Sequence, residues 1–229
     1  AEKKNLTLMV GHTFLFTPAV RKIKEIIESG DLGEMYYINS QRLNLGLFQK
    51  DINVAWDLAP HDISIILFIL NQNPVSVNCQ GKANIRKGIE DTTNMSIKFS
   101  GGGFATIQSS WLDPNKIRKM TFVGSKKMLV YDDIEPLEKI KIYDKRVDVP
   151  PYYDSFGEFQ YSYHYGDVHI PYLKSTEPLK AECQQFIECI KTGDKSESSG
   201  DEGMQVVEIL EAASKSLKSN GKQINILNV

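Results

Sequence analysis

The sequence predicts an α+β fold, in which helices flank one open and mainly antiparallel sheet. Between residues 74 and 149, short runs of β-branched and aromatic residues alternate with turn signals such as the glycines at 101–103. Successive short strands with tight turns are typical of an antiparallel meander. Segments with helical patterns stand on both sides of this region, at 56–70, 177–192 and 201–219. Helices grouped around one antiparallel sheet define the α+β class.

The chain before the meander is predicted to contain a strand, a helix and a second strand. Residues 6–12, LTLMVGH, are almost continuously apolar, which predicts a strand buried on both faces. Thr17 and Pro18 predict a helix start, because Thr is a good N-cap and Pro loses no hydrogen bond at the first helical position. The helix is expected to stop at Gly30. Residues 34–43, EMYYINSQRL, predict the next strand.

The meander contains six strand-like runs, and a long segment without a clear period follows it. That segment, residues 150–173, is aromatic and polar and is interpreted as a surface loop packed by its own tyrosines. Residues 223–227, QINIL, predict a last short strand. The six runs are VSVNCQGKANI (75–85), TNMSIKF (93–99), FATIQSSW (104–111), KMTFVGS (119–125), KMLVYD (127–132) and KIKIYD (139–144).

The composition is that of an ordinary globular protein. The 229 residues are 41% hydrophobic and 24% charged, with a formal net charge of −2. This charge gives no reason to expect nucleic acid or an anionic membrane as a partner. No apolar run approaches the length of about 18–20 residues that spans a bilayer. Cys79, Cys183 and Cys189 form no CxxC motif and cannot all pair, which favours a reducing, cytoplasmic compartment.

Asp57 and His61, in the segment WDLAPHDISI, are the first candidates for chemistry. Residues at i and i+4 lie on one helix face. Histidine titrates near neutrality and can accept a hydroxyl proton, while a nearby carboxylate fixes its tautomer and supports its charged form. The spacing also fits a structural alternative, in which Asp57 is a helix N-cap and His61 is a core histidine with satisfied hydrogen bonds.

Other polar residues give weaker signals. Arg42 and Asn44 follow a predicted strand and can bind a phosphate or a sugar hydroxyl, although ordinary surface residues would look the same. His164 and His169 lie in the aromatic segment, but no acid or cysteine stands at a recognisable ligand spacing, so no metal site is predicted. Tyrosine rings in this segment would suit sugar faces or subunit contacts.

The sequence contains no nucleotide-binding glycine motif. The glycines at 101–103 fit neither GxGxxG nor GxxxxGK[ST] and lie between two strand-like runs, so they predict a hairpin turn. A nicotinamide cofactor normally needs a βαβ unit with glycine at the pyrophosphate. We therefore expect this chain alone to bind neither NAD nor NADP.

Three stretches of the chain carry a family resemblance. They are LTLMVGHTFLFTPAVRKIKEIIESGDLGEMYYINSQRLNLG, NVAWDLAPHDISIILFIL, and YGDVHIPYLKSTEPLKAECQQFIECIKTGD with the following GMQVVEILEAASKSL. Together they resemble the Gfo/Idh/MocA oxidoreductases, especially the nucleotide-sugar members such as UDP-N-acetylglucosamine 3-dehydrogenases. The order and spacing of the stretches are specific, and the likeness covers essentially the whole chain.

The resemblance implies a C-terminal part of a two-domain enzyme. Such enzymes pair an N-terminal Rossmann domain with an α+β domain whose open sheet mediates oligomerisation. Residues 1–15 would then be a remnant of the Rossmann domain, its last strand, and residues 16–229 the substrate-binding and oligomerisation domain. The family's E-K-P lysine would lie upstream, because Glu2-Lys3-Lys4 lacks the proline and directly precedes the strand. We therefore expect a truncated form.

The resemblance also implies roles for individual residues. The family's D-x-x-x-H pattern falls on Asp57 and His61, so His61 would accept the hydroxyl proton while hydride passes from a sugar carbinol carbon to NAD or NADP. Asp57 would orient the imidazole, and His12 would contact the cofactor.

Substrate contacts and assembly follow from the same resemblance. A sugar or nucleotide sugar would be held by Arg42, Asn44, Tyr163, His164 and Tyr165, and the chain would form a homo-oligomer through its sheet. By itself the chain would be inactive. Three alternatives remain: a glycosidase-type member of the family, a non-enzymatic sugar-binding scaffold, and a module that serves only oligomerisation.

Overall fold

The computed structural model describes residues 1–148 and 161–226, which form one sheet with flanking helices. Two short 3-10 segments, Glu2–Lys4 and Thr13–Phe16, precede the first helix. The helices are α1 (Pro18–Glu28), α2 (Val54–Leu70), α3 (Pro178–Thr192) and α4 (Gly200–Leu217). The strands are β1 (Met35–Leu43), β2 (Pro74–Lys82), β3 (Thr92–Phe99), β4 (Phe104–Ser110), β5 (Ile117–Gly124), β6 (Met128–Asp132), β7 (Ile140–Asp148), β8 (Ser162–His169) and β9 (Ile224–Asn225).

The sheet confirms the predicted α+β class. Its strand order is β8-β7-β6-β5-β1-β4-β3-β2-β9. All neighbouring strands in this order are antiparallel except β1 and β4, which run parallel with Ile38 opposite Ala105. The meander is therefore divided, because β1 lies between β4 and β5. No local pattern in the sequence indicates that insertion.

The helices cover one face of the sheet and form the core with it. Thr17 Oγ1 accepts a hydrogen bond from the Val20 N–H at 3.3 Å, which confirms the predicted start of α1. α2 is buried along most of its length, including Ile63, Ile65 and Ile66. Burial of each such side chain contributes about 1.5–3 kcal/mol, so α2 is held chiefly by packing.

The opposite face of the sheet is polar at its centre. Asn39 Nδ2 donates to Thr106 Oγ1 at 2.8 Å, and Gln41 Nε2 donates to Gln108 Oε1 at 3.2 Å. These cross-strand pairs join β1 to β4.

Residues 6–12 do not form the predicted strand. The segment is attached to the turn before α4, where the Val10 N–H donates to Ser198 O at 2.7 Å and Ser198 Oγ donates to Val10 O at 2.6 Å. Leu6 and Leu8 remain 62% and 56% exposed. A strand needs a neighbouring strand for its hydrogen bonds, and none of the described strands pairs with this segment.

Part of the aromatic segment is a strand rather than a loop. Residues 149–160 lie outside the described residues, whereas 162–169 form β8 at the edge of the sheet. The two closing helices are confirmed as α3 and α4, and Ser199 Oγ caps α4 by accepting from the Asp201 N–H at 3.3 Å. In the described part of the predicted last strand, residues 224–225 pair with β2, and the Ile226 N–H donates to Val75 O at 2.8 Å.

The state of the cysteines and the length of the helices bear on the redox and membrane predictions. Cys79, Cys183 and Cys189 are all free cysteines, and only Cys183 is exposed. Burial raises the pKa of the Cys79 thiol to about 12, so that thiol is protonated at neutral pH. Across the described residues, no helix has the length and apolar character needed to cross a bilayer.

Candidate active site

The first turns of α2 hold the predicted catalytic pair. The side chain of Asn53 accepts a hydrogen bond from the Trp56 N–H at 3.2 Å, so Asn53, not Asp57, is the N-cap. Pro60 lies inside the helix and cannot donate the usual hydrogen bond to the carbonyl four residues earlier. The capping alternative for Asp57 is therefore wrong.

Asp57 is fixed by a tryptophan that follows β4. The Trp111 Nε1–H donates to Asp57 Oδ2 at 2.9 Å, and the Trp111 ring is almost fully buried. Within residues 1–148 and 161–226, Asp57 makes no side-chain hydrogen bond to His61. Asp57 is therefore held in place by Trp111 and not by the imidazole.

The His61 side chain is half-buried and packs against Phe14. The two ring centroids are 5.0 Å apart and the ring planes are inclined by 59°. No described residue forms a hydrogen bond with either ring nitrogen of His61. This differs from the core histidine with satisfied hydrogen bonds that was the structural alternative, and it leaves both nitrogens free to meet a ligand.

The surroundings of His61 favour its neutral form. Burial lowers the pKa of the imidazole, and the positive charge of Arg42 lowers it further. Asp62 opposes these effects, while Arg118 and His12 add to the lowering. A neutral imidazole can accept a proton, so this electrostatic balance suits a general base near neutral pH.

Arg42 lies beneath the candidate site in a buried ion pair. Its Nε and Nη2 donate to Asp62 Oδ2 and Oδ1, both at 2.9 Å, and the two side chains are only 7% and 3% exposed. Burial disfavours the charged guanidinium, but Asp62 outweighs this and the pKa of Arg42 is raised. The guanidinium also lies 4.9 Å from the centre of the Phe14 ring. These contacts hold Arg42 inside the protein.

Asn44 lies near the Trp111 contact. A Cβ placed on Gly46 would be 2.8 Å from Trp111 Cδ1 and 3.2 Å from Asn44 Oδ1, so all three residues are close together. Asn44 Oδ1 is buried and has no hydrogen-bond partner among the described residues. The amide therefore has an unused acceptor on the side of the site that holds Asp57.

His12 lines a groove on the helical side of the sheet. The groove has a volume of about 360 Å³ and is also lined by Ser64 and Glu202. His12 Nε2 is buried and unpaired in the described part of the chain. Burial lowers the pKa of His12, although Glu182 and Glu202 oppose the change. In the described residues, no group of three or more His, Cys, Asp or Glu is arranged to hold a metal ion.

The three residues predicted from the aromatic segment lie elsewhere, on β8. β8 pairs with β7 from Ile142 to Asp148, and the three predicted residues pair with the part of β7 beyond Tyr143, where β7 is no longer paired with β6. Arg42 lies at the other end of these strands, where β6 ends and β7 begins. His164 Nε2 is 2.9 Å from Asp144 Oδ2. The β8 pairs are Tyr163 with Val147, His164 with Arg146 and Tyr165 with Lys145, so the chain itself does not bring these residues to His61.

Comparison with known families agrees with the resemblance read from the sequence. The family model described as the GFO/IDH/MocA C-terminal domain matches residues 20–130, which include most of α1 and the whole of β1 and α2. Residues 20–130 are a GFO/IDH/MocA C-terminal domain. The matched range contains both Asp57 and His61.

Known relatives of this GFO/IDH/MocA domain are longer proteins. The uncharacterized oxidoreductase YrbE of Bacillus subtilis (strain 168) is 22% identical, over 94% of this chain and 62% of its own length. UDP-N-acetylglucosamine 3-dehydrogenase GnnA from Acidithiobacillus ferrooxidans superposes with a TM-score of 0.72 at 20% identity, over 97% of this chain and 65% of that protein. Levoglucosan dehydrogenase, in complex with NADH and levoglucosan, gives 0.76 at 19% identity, over 98% and 68%. The structures share the fold, and the chain spans roughly two thirds of each protein.

Several residues of the candidate site were not predicted from the sequence. Asp62 had a usable signal. Arg42 lies with Ile38 and Ser40 on the inward face of β1, so Arg42 needed a buried acidic partner. The acid next to His61 at the start of an apolar run was available for that role. Phe14 and Trp111 had no local signal, because their contacts to α2 join distant parts of the sequence.

Proposed function

We propose that this chain is the substrate-binding part of an NAD- or NADP-dependent sugar dehydrogenase. The observation that carries the proposal is the state of His61 in the first half of α2: its ring nitrogens have no partner among the described residues, and its pKa is lowered. An oxidoreductase relative and two dehydrogenases of similar fold support the reaction class. Sugars as substrates are proposed by analogy with the latter two.

Oxidation of a carbinol needs a base for the hydroxyl proton and an acceptor for the hydride. The neutral His61 imidazole accepts the proton as the C–O single bond becomes a carbonyl. Asp57 lies one helical turn away, held by Trp111, and its negative charge stabilises the imidazolium that forms. Arg42 and Asp62 keep the floor of the site rigid beneath the imidazole.

A nicotinamide cofactor fits the unpaired groups of the site only in part. Among the described residues, the buried atom His12 Nε2 has no hydrogen-bond partner. Positive charge on His12 lowers the pKa of His61, so His12 lies near the site, where a cofactor amide or hydroxyl could meet it. The bound cofactor would supply the hydride acceptor. The described residues contain no glycine-rich turn at a helix N-terminus for a pyrophosphate, so we assign that contact to a separate dinucleotide-binding domain.

The first test joins the chain to a dinucleotide-binding domain of the same family. We expect the chain alone to show no binding of NAD(H) in a calorimetric titration, and the joined protein to reduce NAD or NADP with levoglucosan or UDP-N-acetylglucosamine. Deuterium at the oxidised carbon should slow turnover, because the C–H bond breaks in the reaction.

Three results would contradict this proposal. Micromolar binding of NADH by the chain alone would mean that the pyrophosphate contact is already present. A joined protein that binds both cofactor and sugar without turnover would favour the scaffold alternative, and one that hydrolyses a glycoside would favour the glycosidase alternative.

We also propose that the polar sheet face mediates a homo-oligomer, and we expect a dimer or larger assembly by light scattering. Gln108→Lys places a charge among the amides of that face, where burial without a partner is costly, so it should shift the mass towards the monomer. Glu211→Lys on the exposed side of α4 is the matched control. A wild-type monomer at high micromolar concentration would refute this assembly.

A further inference from the structure

A second arginine lies beside Arg42 on the same face of the sheet. β1 and β5 are antiparallel, and Arg42 is directly opposite Arg118 in their register. Directly opposite residues of paired strands point to the same face. Because Arg42 points towards α2, where it binds Asp62, Arg118 also points towards that side. Lys119, the next residue of β5, points to the other face.

Arg118 differs from Arg42 in how much of its side chain is engaged. Arg42 is buried and uses two guanidinium nitrogens on Asp62, whereas the Arg118 side chain is 38% exposed. Its one ion-pair contact joins Nη1 to Asp133 Oδ2 at 3.4 Å. In the described part of the chain, its other guanidinium N–H groups have no partner. Arg118 therefore has free donors in a fork that matches an oxyanion.

Asp133 does not depend on Arg118 alone. Tyr131 donates its hydroxyl to Asp133 Oδ1 at 3.0 Å, and Lys139 Nζ is 3.7 Å from the same oxygen. Arg118 can therefore turn towards a ligand without leaving the carboxylate isolated. The balance of charge in these ion pairs also favours an anion, because three cations share two carboxylates. The cations are Arg42, Arg118 and Lys139, and the carboxylates are Asp62 and Asp133.

Arg118 is also close enough to His61 to act on it. Burial is the main reason that the pKa of His61 is lowered, and the charge of Arg42 lowers it further, whereas Asp62 raises it. The charge of Arg118 comes next and lowers the pKa, as Arg42 does. An anion bound by Arg118 would thus lie near the imidazole and would weaken that contribution.

We propose that Arg118 binds an anionic oxygen group, a carboxylate or a phosphate, carried by the sugar whose hydroxyl His61 deprotonates. This inference rests on the proposed function and narrows its substrate class to acidic or phosphorylated sugars. The forked guanidinium binds the oxyanion with two parallel N–H donors. Arg42 cannot provide this contact, because two of its guanidinium nitrogens already donate to Asp62.

The test follows the His61 imidazole by NMR in the 229-residue chain during titration with three probes. These are glucuronate, glucose 6-phosphate and glucose. We expect at least one anionic sugar to move the His61 signal in a saturable way and to bind at least about tenfold more tightly than glucose, as a charge-assisted contact predicts. Arg118→Met should remove this preference, whereas Lys119→Met, on the opposite face and paired with Asp132, should retain it.

Each possible result bears on the inference. Preference for glucuronate indicates a carboxylate ligand, and preference for glucose 6-phosphate indicates a phosphate. Equal binding of glucose, no effect of any probe on His61, or a preference that survives in Arg118→Met would overturn the proposal. Sugar binding at His61 without preference for the anion would leave the dehydrogenase proposal intact, since that proposal fails on turnover and not on charge selectivity.

Discussion

His61→Ala is expected to lower kcat by about 10²–10⁴-fold in the chain joined to a dinucleotide-binding domain, the usual contribution of a positioned acid–base group. The loss should occur without unfolding. His61 is half-buried and its ring forms no hydrogen bond with a described residue, so its removal leaves no polar partner stranded. We expect the melting midpoint to stay within a few degrees of wild type. Melting and single-turnover rates should be measured on the same samples.

Asp57→Asn tests the supporting charge, and His169→Ala provides the control. The asparagine keeps an oxygen that can accept from Trp111 Nε1, so the shape of the site is retained while the negative charge is lost. Turnover should fall by less than in His61→Ala. His169 is exposed on β8, and its replacement should change neither quantity. Normal turnover with a depressed melting point in His61→Ala would identify His61 as structural.

The pH dependence of turnover gives a further check on the same residue. The reaction needs the neutral imidazole, so the rate should fall as the pH falls through the pKa of His61. Burial and Arg42 lower that pKa, so the fall should begin at a lower pH than for an ordinary histidine. If the rate instead fell at a pH within or above the titration range of an ordinary histidine, another group would be the one that accepts the proton.

Local patterns predicted most of the elements of this fold. The pair Thr17-Pro18 starts α1, the apolar run after His61 is the buried length of α2, and the turn signals separate the strands of the meander. These features depend on residues close together in the sequence, which is why a single sequence reveals them.

Features set by distant parts of the chain were predicted poorly. The apolar pattern of residues 6–12 does fit a strand, but a strand also requires a partner, and no described strand provides one. The candidate site shows the same limit. His61 and Asp57 were found from their spacing, whereas Trp111 reaches Asp57 from 54 positions away and Arg42 reaches Asp62 from 20.

The buried pair Arg42–Asp62 should be the most sensitive point of the fold. Asp62→Ala leaves a guanidinium that is only 7% exposed without its partner, and Arg42→Met leaves the carboxylate. Removing one member of a buried ion pair typically costs about 3–5 kcal/mol of unfolding free energy. Urea unfolding at equilibrium would measure this loss, with an unchanged m-value showing that a two-state transition persists.

The double variant Arg42→Met, Asp62→Leu separates this role from substrate binding. Because both buried charges are removed together, its stability should return close to that of wild type, whereas independent contributions would make the two losses add. Lys127→Met, in the exposed pair with Asp31, is the control and should cost less than about 1 kcal/mol. Single variants that lose substrate affinity but no stability would show that Arg42 contacts the substrate directly. A stable double variant with impaired turnover would instead show that the pair fixes the floor beneath His61 without touching the sugar. The charge of Arg42, and its packing against the Phe14 ring that also contacts His61, would then act on the imidazole.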